Sequence, residues 1–186
     1  MTTANKITIA RMILVPVFMG LLLAAERTWC LTAAIIVFIA ASVSDAADGY
    51  IARHYNQITT FGKFMDPLAD KMLTTSAFIV FVAIGRMNPW ALMIILFREF
   101  MVSGIRLLAV SGGKVIAASM LGKIKTVSQM LAIIAGIVLM YPAFPQGAAE
   151  VVTHALIWVC TWFTVISGID YLVKNIHIFR AEEEQP

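Results

Sequence analysis

Charge is what this sequence has least of. Only 13% of its residues are Asp, Glu, Lys or Arg, where an ordinary soluble domain carries about a quarter. That scarcity excludes a cytosolic or secreted globular protein. Cysteine is almost missing as well. Cys30 and Cys160 each sit in an apolar run, without the spacing of a metal motif or a disulfide framework, and read as small hydrophobes. Repeats and a second compositional regime are absent, so one domain over residues 1–186 is expected. What the chain has in quantity is hydrocarbon: 60% of residues are hydrophobic and the mean hydropathy is +0.86. Its length accommodates about six membrane spans at roughly 20 residues each plus short loops. The expected fold is an all-α integral membrane protein of six transmembrane helices.

Polar and turn residues punctuate the apolar runs. The first runs from about Ile7 to Ala25 and contains Pro16, which a membrane helix tolerates as a kink. The second runs from Trp29 through Ala47 and continues as helix to Arg53, and His54 to Thr60 turns the chain. The third starts near Gly62 and reaches Ile84, with Pro67 expected in its first turn, where a missing N–H costs little. Asn88-Pro89 opens the fourth, which ends at Ser111-Gly112-Gly113. The fifth spans Ser119 to Met140, closed by Tyr141-Pro142 and Pro145, and the sixth spans Ala148 to Val173. Lys6 and Arg11 precede an apolar stretch ending Leu23-Ala24-Ala25, as in a signal peptide, but the hydrophobic spans that follow argue against cleavage.

The basic residues set an orientation. Lys6, Arg11, Arg53, Lys63, Lys114, Lys174 and Arg180 fall at the termini and the even-numbered loops, whereas the opposite loops hold only Arg27 and Arg86. By the positive-inside rule both termini face the cytosol. The residues 45–70 then lie at the cytosolic membrane boundary.

That stretch carries four carboxylates. Asp45 and Asp48 are three apart, and Asp66 and Asp70 four apart, so each pair shares a helix face. Beside hydrocarbon they cannot all stay ionised unless cations neutralise them. Hard divalent ions suit oxygen ligands, and a two-metal site is expected. A lone aspartate would more simply cap a helix or pair with Lys71 or Arg53, but four in this arrangement do not reduce to that.

Letter by letter the chain reads Asp45-x2-Asp48-Gly49-x2-Ala52-Arg53-x8-Gly62-x3-Asp66-x3-Asp70. This resembles, without a gap, the signature of the CDP-alcohol phosphatidyltransferases, which are small six-helix membrane enzymes that displace CMP from a CDP-linked lipid by an alcohol. The resemblance implies Asp45, Asp48, Asp66 and Asp70 as ligands of two divalent ions, Mg²⁺ or Mn²⁺, with Asp70 also the general base for the acceptor hydroxyl. It implies a CDP-lipid site of Asn5, Thr8, Asp48, Gly49, Ala52, Arg53, Thr59 and Gly62. Gly49 and Gly62 remove side chains where backbone approaches the nucleotide, and Arg53 offers a fork to a phosphate oxygen.

A second cluster is basic. Arg98 lies nine residues past Pro89, about 14 Å along a helix, where a lone Arg is costly and turns to a polar cavity. Arg106 follows eight positions later, Glu99 is placed to hold it, and Lys123 and Lys125 open the fifth helix. Cations in this number suit a phosphorylated alcohol. Arg98-Glu99 with Arg106, Gly122-Lys123-Ile124-Lys125-Thr126 and Asn5-x-x-Thr8-x-x-Arg11 resemble the bacterial branch of the family whose acceptor is sn-glycerol 3-phosphate. The resemblance implies Arg11, Arg98, Arg106, Lys123 and Lys125 as acceptor-phosphate ligands, CDP-diacylglycerol as donor, a homodimer in the bacterial cytoplasmic (inner) membrane, and no nucleic-acid partner. Inositol phosphate is the alternative acceptor. A divalent-cation transporter is the alternative of another class, but it has no use for Gly49, Ala52, Arg53 and Gly62, and an Arg beside its site would repel its cargo. Asp170 and Lys174, four apart, read as a structural pair.

Overall fold

The computed structural model describes residues 3–54, 60–111, 116 and 119–176, and the side chains of 3–6, 45–54, 60–67, 70 and 111 lie outside the described set. Six helices follow one another: α1 (Thr3–Leu23), α2 (Thr28–His54), α3 (Thr60–Ala83), α4 (Pro89–Ser111), α5 (Met120–Val138) and α6 (Gln146–Asn175). No strand occurs among the described residues. Met120–Val138 and Gln146–Asn175 are each long and apolar enough to cross a membrane, and shorter apolar stretches cover Ile7–Leu23, Thr28–Ser44 and Lys71–Ala83.

The helix ends follow local chemistry. Gly85 closes α3 with φ +76°, a conformation only glycine adopts freely. Its N–H donates to Val82 O at 3.1 Å and that of Arg86 to Phe81 O at 2.8 Å, the paired bonds of a Schellman stop. Asn88 Oδ1 then accepts the Trp90 N–H at 2.9 Å, with Pro89 as the first helical residue, the arrangement that starts a helix most cheaply. Ser119 caps α5 by accepting the Gly122 N–H at 3.1 Å. Helix α1 begins at Thr3, ahead of the apolar run that opens at Ile7. One expectation shifts. Helix α3 starts at Thr60, so Pro67 is its eighth residue and not in its first turn; neighbouring groups re-satisfy the backbone group such a proline frees.

Helices α1 and α2, and α5 and α6, each joined by a short turn, pack side by side. α1 lies chiefly on α2 and α3, and α6 on α4 and α5, while α3 meets α4 and α5 over shorter stretches. One apolar core draws on all six helices, with Phe18, Phe38, Phe81, Ile95, Ile133 and Ile157 at its centre. The outside is equally apolar: Ile13, Ile36, Met93, Phe97, Phe100 and Leu107 are exposed. A continuous apolar exterior of this kind suits lipid, since soluble monomers rarely expose large apolar patches. Trp29 and Trp90 sit at the starts of α2 and α4, at the same end of the bundle, where indoles favour the membrane interface.

That end is pinned by polar contacts between turns. Gln146 donates to Tyr141 O at 3.1 Å and Phe144 O at 3.0 Å, closing the α5–α6 turn, and accepts from Arg86 Nη2 at 2.5 Å. His154 Nε2 meets Gly85 O at 3.2 Å, and Tyr141 OH meets Thr32 Oγ1 at 2.7 Å. The turns α3–α4 and α5–α6 and the start of α2 are thereby tied together.

Candidate active site

The expected metal and nucleotide residues fall at the other end. Asp45, Asp48, Gly49, Ala52 and Arg53 lie in the last turns of α2, and Gly62, Asp66 and Asp70 in the first half of α3. The backbone is helical through both, and α2, α3 and α1 pack on one another. The side chains of these residues and of Asn5 lie outside the described set, as does the whole of Thr59. Among the described residues no three His, Cys, Asp or Glu side chains gather. Two other expected site residues are described on α1: Thr8 and Arg11, three apart on one face, are both buried.

The basic cluster is built around one turn of α4. Arg98, only 8% exposed, donates from Nη1 to Glu99 Oε1 at 3.1 Å and from Nη2 to Ser167 Oγ on α6 at 2.7 Å. Lys125 of α5, 6% exposed, brings its Nζ to 2.5 Å from the same Glu99 Oε1. Lys71 of α3 donates to Ser103 Oγ and, at 3.5 Å, to Glu99 O, which also accepts the Ser103 hydroxyl at 2.7 Å. The turn 98–103 therefore joins α3, α4, α5 and α6 through side-chain hydrogen bonds. Burying charge in this way is tolerable only when the ions are paired and hydrogen-bonded.

Glycines allow the approach. A Cβ on Gly168 would lie 3.0 Å from Arg98 Cγ, and one on Gly122 would lie 3.8 Å from Arg98 Nη2. Arg98 thus lies flat against α6, and its fork reaches the first turn of α5. Below it, Gln129 Nε2 donates to Thr164 Oγ1 at 3.2 Å, an interhelical polar pair between two buried residues.

The expected acceptor ligands do not all converge. Arg98 and Lys125 share Glu99, while Lys123, two residues earlier, is exposed on another face of α5. Arg106 is exposed and lies over buried Tyr171 of α6, with its guanidinium carbon 5.7 Å from the ring centroid and Nε donating to the hydroxyl at 3.3 Å. Glu99 accordingly does not hold Arg106. It points to α5, whose lysine comes much nearer than a residue two turns along its own helix. Asp170 and Lys174 form the expected i,i+4 pair at 2.7 Å.

Several residues of the cluster had no signal in the sequence. Ser103, Ser167 and Tyr171 are ordinary residues in apolar helices, and only tertiary packing brings them to Arg98, Lys71 and Arg106. Gly168 reads as a generic helix-packing glycine until Arg98 is seen against it.

Comparison with known proteins identifies the family. The family model described as CDP-alcohol phosphatidyltransferase matches residues 1–166. The chain is 41% identical, over 92% of its length and 93% of the relative's, to the CDP-diacylglycerol–glycerol-3-phosphate 3-phosphatidyltransferase of Bacillus subtilis. It is 34% identical, over 90% of its length and 93% of the relative's, to the protein of the same name from Rickettsia typhi. With a matching family model over most of its length and relatives of this identity covered nearly end to end, the chain belongs to the CDP-alcohol phosphatidyltransferase family.

Proposed function

We propose that this membrane enzyme transfers the phosphatidyl group of CDP-diacylglycerol to sn-glycerol 3-phosphate, giving phosphatidylglycerophosphate and CMP. The reading is carried by the convergence of Arg98 and Lys125, from two helices, on one carboxylate at buried depth. A neutral acceptor has no need of them, whereas a phosphomonoester takes charge-assisted hydrogen bonds from both. Arg98 Nε is buried and has no partner among the described residues, so it adds a donor for a phosphate oxygen. The names of the relatives, which specify the same donor and acceptor, support the choice.

Chemistry follows from the two ends of the acceptor. Arg98 and Lys125 hold the 3-phosphate and fix the 1-hydroxyl. Asp70 takes the hydroxyl proton, the oxygen bonds to the lipid-linked phosphorus, and the bond from that phosphorus to the oxygen of CMP breaks. Four carboxylates paired at i,i+3 and i,i+4 on adjoining helices are a donor set suited to hard cations, so Asp45, Asp48, Asp66 and Asp70 would hold two divalent ions, Mg²⁺ or Mn²⁺. Bound there, the ions supply charge stabilisation to the diphosphate. Asn5, Thr8, Gly49, Ala52, Arg53, Thr59 and Gly62 receive the CDP moiety.

The chain works as one domain of six spans with both termini in the cytosol, in the bacterial cytoplasmic membrane and as a homodimer. Its site meets soluble acceptor from the cytosol and donor from the side. The test is CMP release by purified protein with CDP-diacylglycerol and Mg²⁺, comparing glycerol 3-phosphate, inositol phosphate, inositol, serine and phosphatidylglycerol. Release with glycerol 3-phosphate alone, abolished by chelation, is expected. Release with inositol phosphate alone would change the acceptor, and release with inositol, serine or phosphatidylglycerol alone would overturn the role given to the basic cluster.

A further inference from the structure

Lys71 directly follows Asp70 in α3, yet its half-buried side chain reaches across to α4. Its ammonium donates to Ser103 Oγ, whose own hydrogen goes to Glu99 O at 2.7 Å, and Lys71 Nζ also lies 3.5 Å from that carbonyl. The same residue, Glu99, holds Lys125 and Arg98 through its carboxylate. A continuous line of hydrogen bonds and ion pairs thus runs from the helix of Asp66 and Asp70 to the two buried cations. Helix α4 packs mainly on α6 and meets α3 over a shorter stretch, so apolar packing alone constrains the α3–α4 spacing weakly.

We infer that Lys71 is a positioning residue for the transfer reaction, fixing the distance between the carboxylates of α3 and the acceptor-phosphate cations of α4 and α5. The inference rests on the reading of the basic cluster as the phosphate site. An acceptor held by its phosphate presents its hydroxyl to the base only if the two halves keep their separation, and a misplacement of about 1 Å can cost about 100-fold in rate. Lys71 touches neither substrate in this account. Its amine is already committed to α4, and its effect passes through Ser103 and Glu99. Loss of the tie leaves both substrate sites formed but out of register, so turnover falls while affinity does not.

Lys71→Met keeps the stem and removes the donor. Steady-state CMP release, with each substrate varied, should show kcat lower by about 30- to 100-fold and both KM values within about threefold of wild type. Lys71→Arg, whose fork can reach the same oxygens, should recover most of the rate. Ser103→Ala, which removes the relay and leaves the charge, should lower kcat by about threefold to tenfold. An unchanged kcat in Lys71→Met overturns the inference. So does a rise in the acceptor KM at constant kcat, which would make Lys71 a phosphate ligand, or a failure of Lys71→Arg to exceed Lys71→Met. Should Lys71→Met not fold in detergent, Ser103→Ala decides: full kcat refutes, a reduced kcat with unchanged KM supports. Wild-type protein is assayed first with the acceptor panel, and the variants with whichever phosphorylated acceptor it uses. An error in the acceptor identity therefore shows in the wild type, and an error about Lys71 only in the variants.

Discussion

Phe81 lies against Gly136 near one end of the bundle, and Arg98 lies against Gly168 deeper within it. A Cβ on Gly136 would come within 2.7 Å of the Phe81 ring, and one on Gly168 within 3.0 Å of Arg98 Cγ. The packing device is the same, a glycine that admits a long side chain from a neighbouring helix. Each region also buries an arginine. Arg86, 7% exposed, ends on the neutral amide of Gln146, whereas Arg98 shares a carboxylate with a second cation. A buried arginine given one neutral acceptor between turns works as a clasp. Two cations from different helices drawn to one carboxylate do more than clasp two turns, and on the proposed function the pair also receives the acceptor's phosphate. Shape is thus shared between the two regions, and charge separates the clasp at Arg86 from the cluster proposed to bind the acceptor.

Substitutions can break that contrast or sharpen it. Arg98→Ala should have the largest effect. Losing the charged hydrogen bonds to a phosphate, at about 1.5–3 kcal/mol each, should lower kcat/KM for glycerol 3-phosphate by about 100-fold, with the KM for CDP-diacylglycerol little changed. Equal losses for both substrates would place Arg98 outside the acceptor site. Next comes Gly136→Ala. The aromatic ring cannot retreat without repacking the core, so overpacking should cost about 1–3 kcal/mol, seen as a lower unfolding temperature in detergent with an unaltered acceptor KM. A raised acceptor KM there would show that the two regions are coupled. The smallest effect belongs to Gly168→Ala, where a flexible arginine stem gives way by a few tenths of an ångström. The acceptor KM should rise about fivefold through the displaced guanidinium, and the melting temperature should barely move. The reverse pattern, a lost melting temperature with an intact KM, would reduce Gly168 to the role of Gly136.

The bounds of the helices were legible because their signals are local. Asn88-Pro89, Gly85 and Ser119 each act through bonds to residues a few positions away, and the apolar runs between them leave no other element to form. The signature from Asp45 to Asp70 was legible for the same reason, since its residues follow one another along two adjoining helices. The basic cluster was legible only in its ions. Spacing along one helix suggested Glu99 for Arg106, but a helix surface says nothing of what the neighbouring helix brings to it. Lys125 arrives from α5 and Tyr171 from α6, and those partners outcompete residues two turns apart. Ser167 and Gly168 sit in an apolar helix where neither differs, as a letter, from a packing residue.

The bond between Arg98 and its immediate neighbour Glu99 has a consequence for how the protein is made. Ser167 lies 69 residues downstream of Arg98, so the ribosome needs roughly 3 to 14 s at 5–20 residues per second to supply it. On the six-span topology proposed above, α4 would enter the bilayer in that interval with its guanidinium and no partner yet from α6. Glu99, 3.1 Å away and delivered with it, travels as the arginine's own counter-ion. The pair would then reach the membrane as a near-neutral unit, before Lys125 and Ser167 are there to share it.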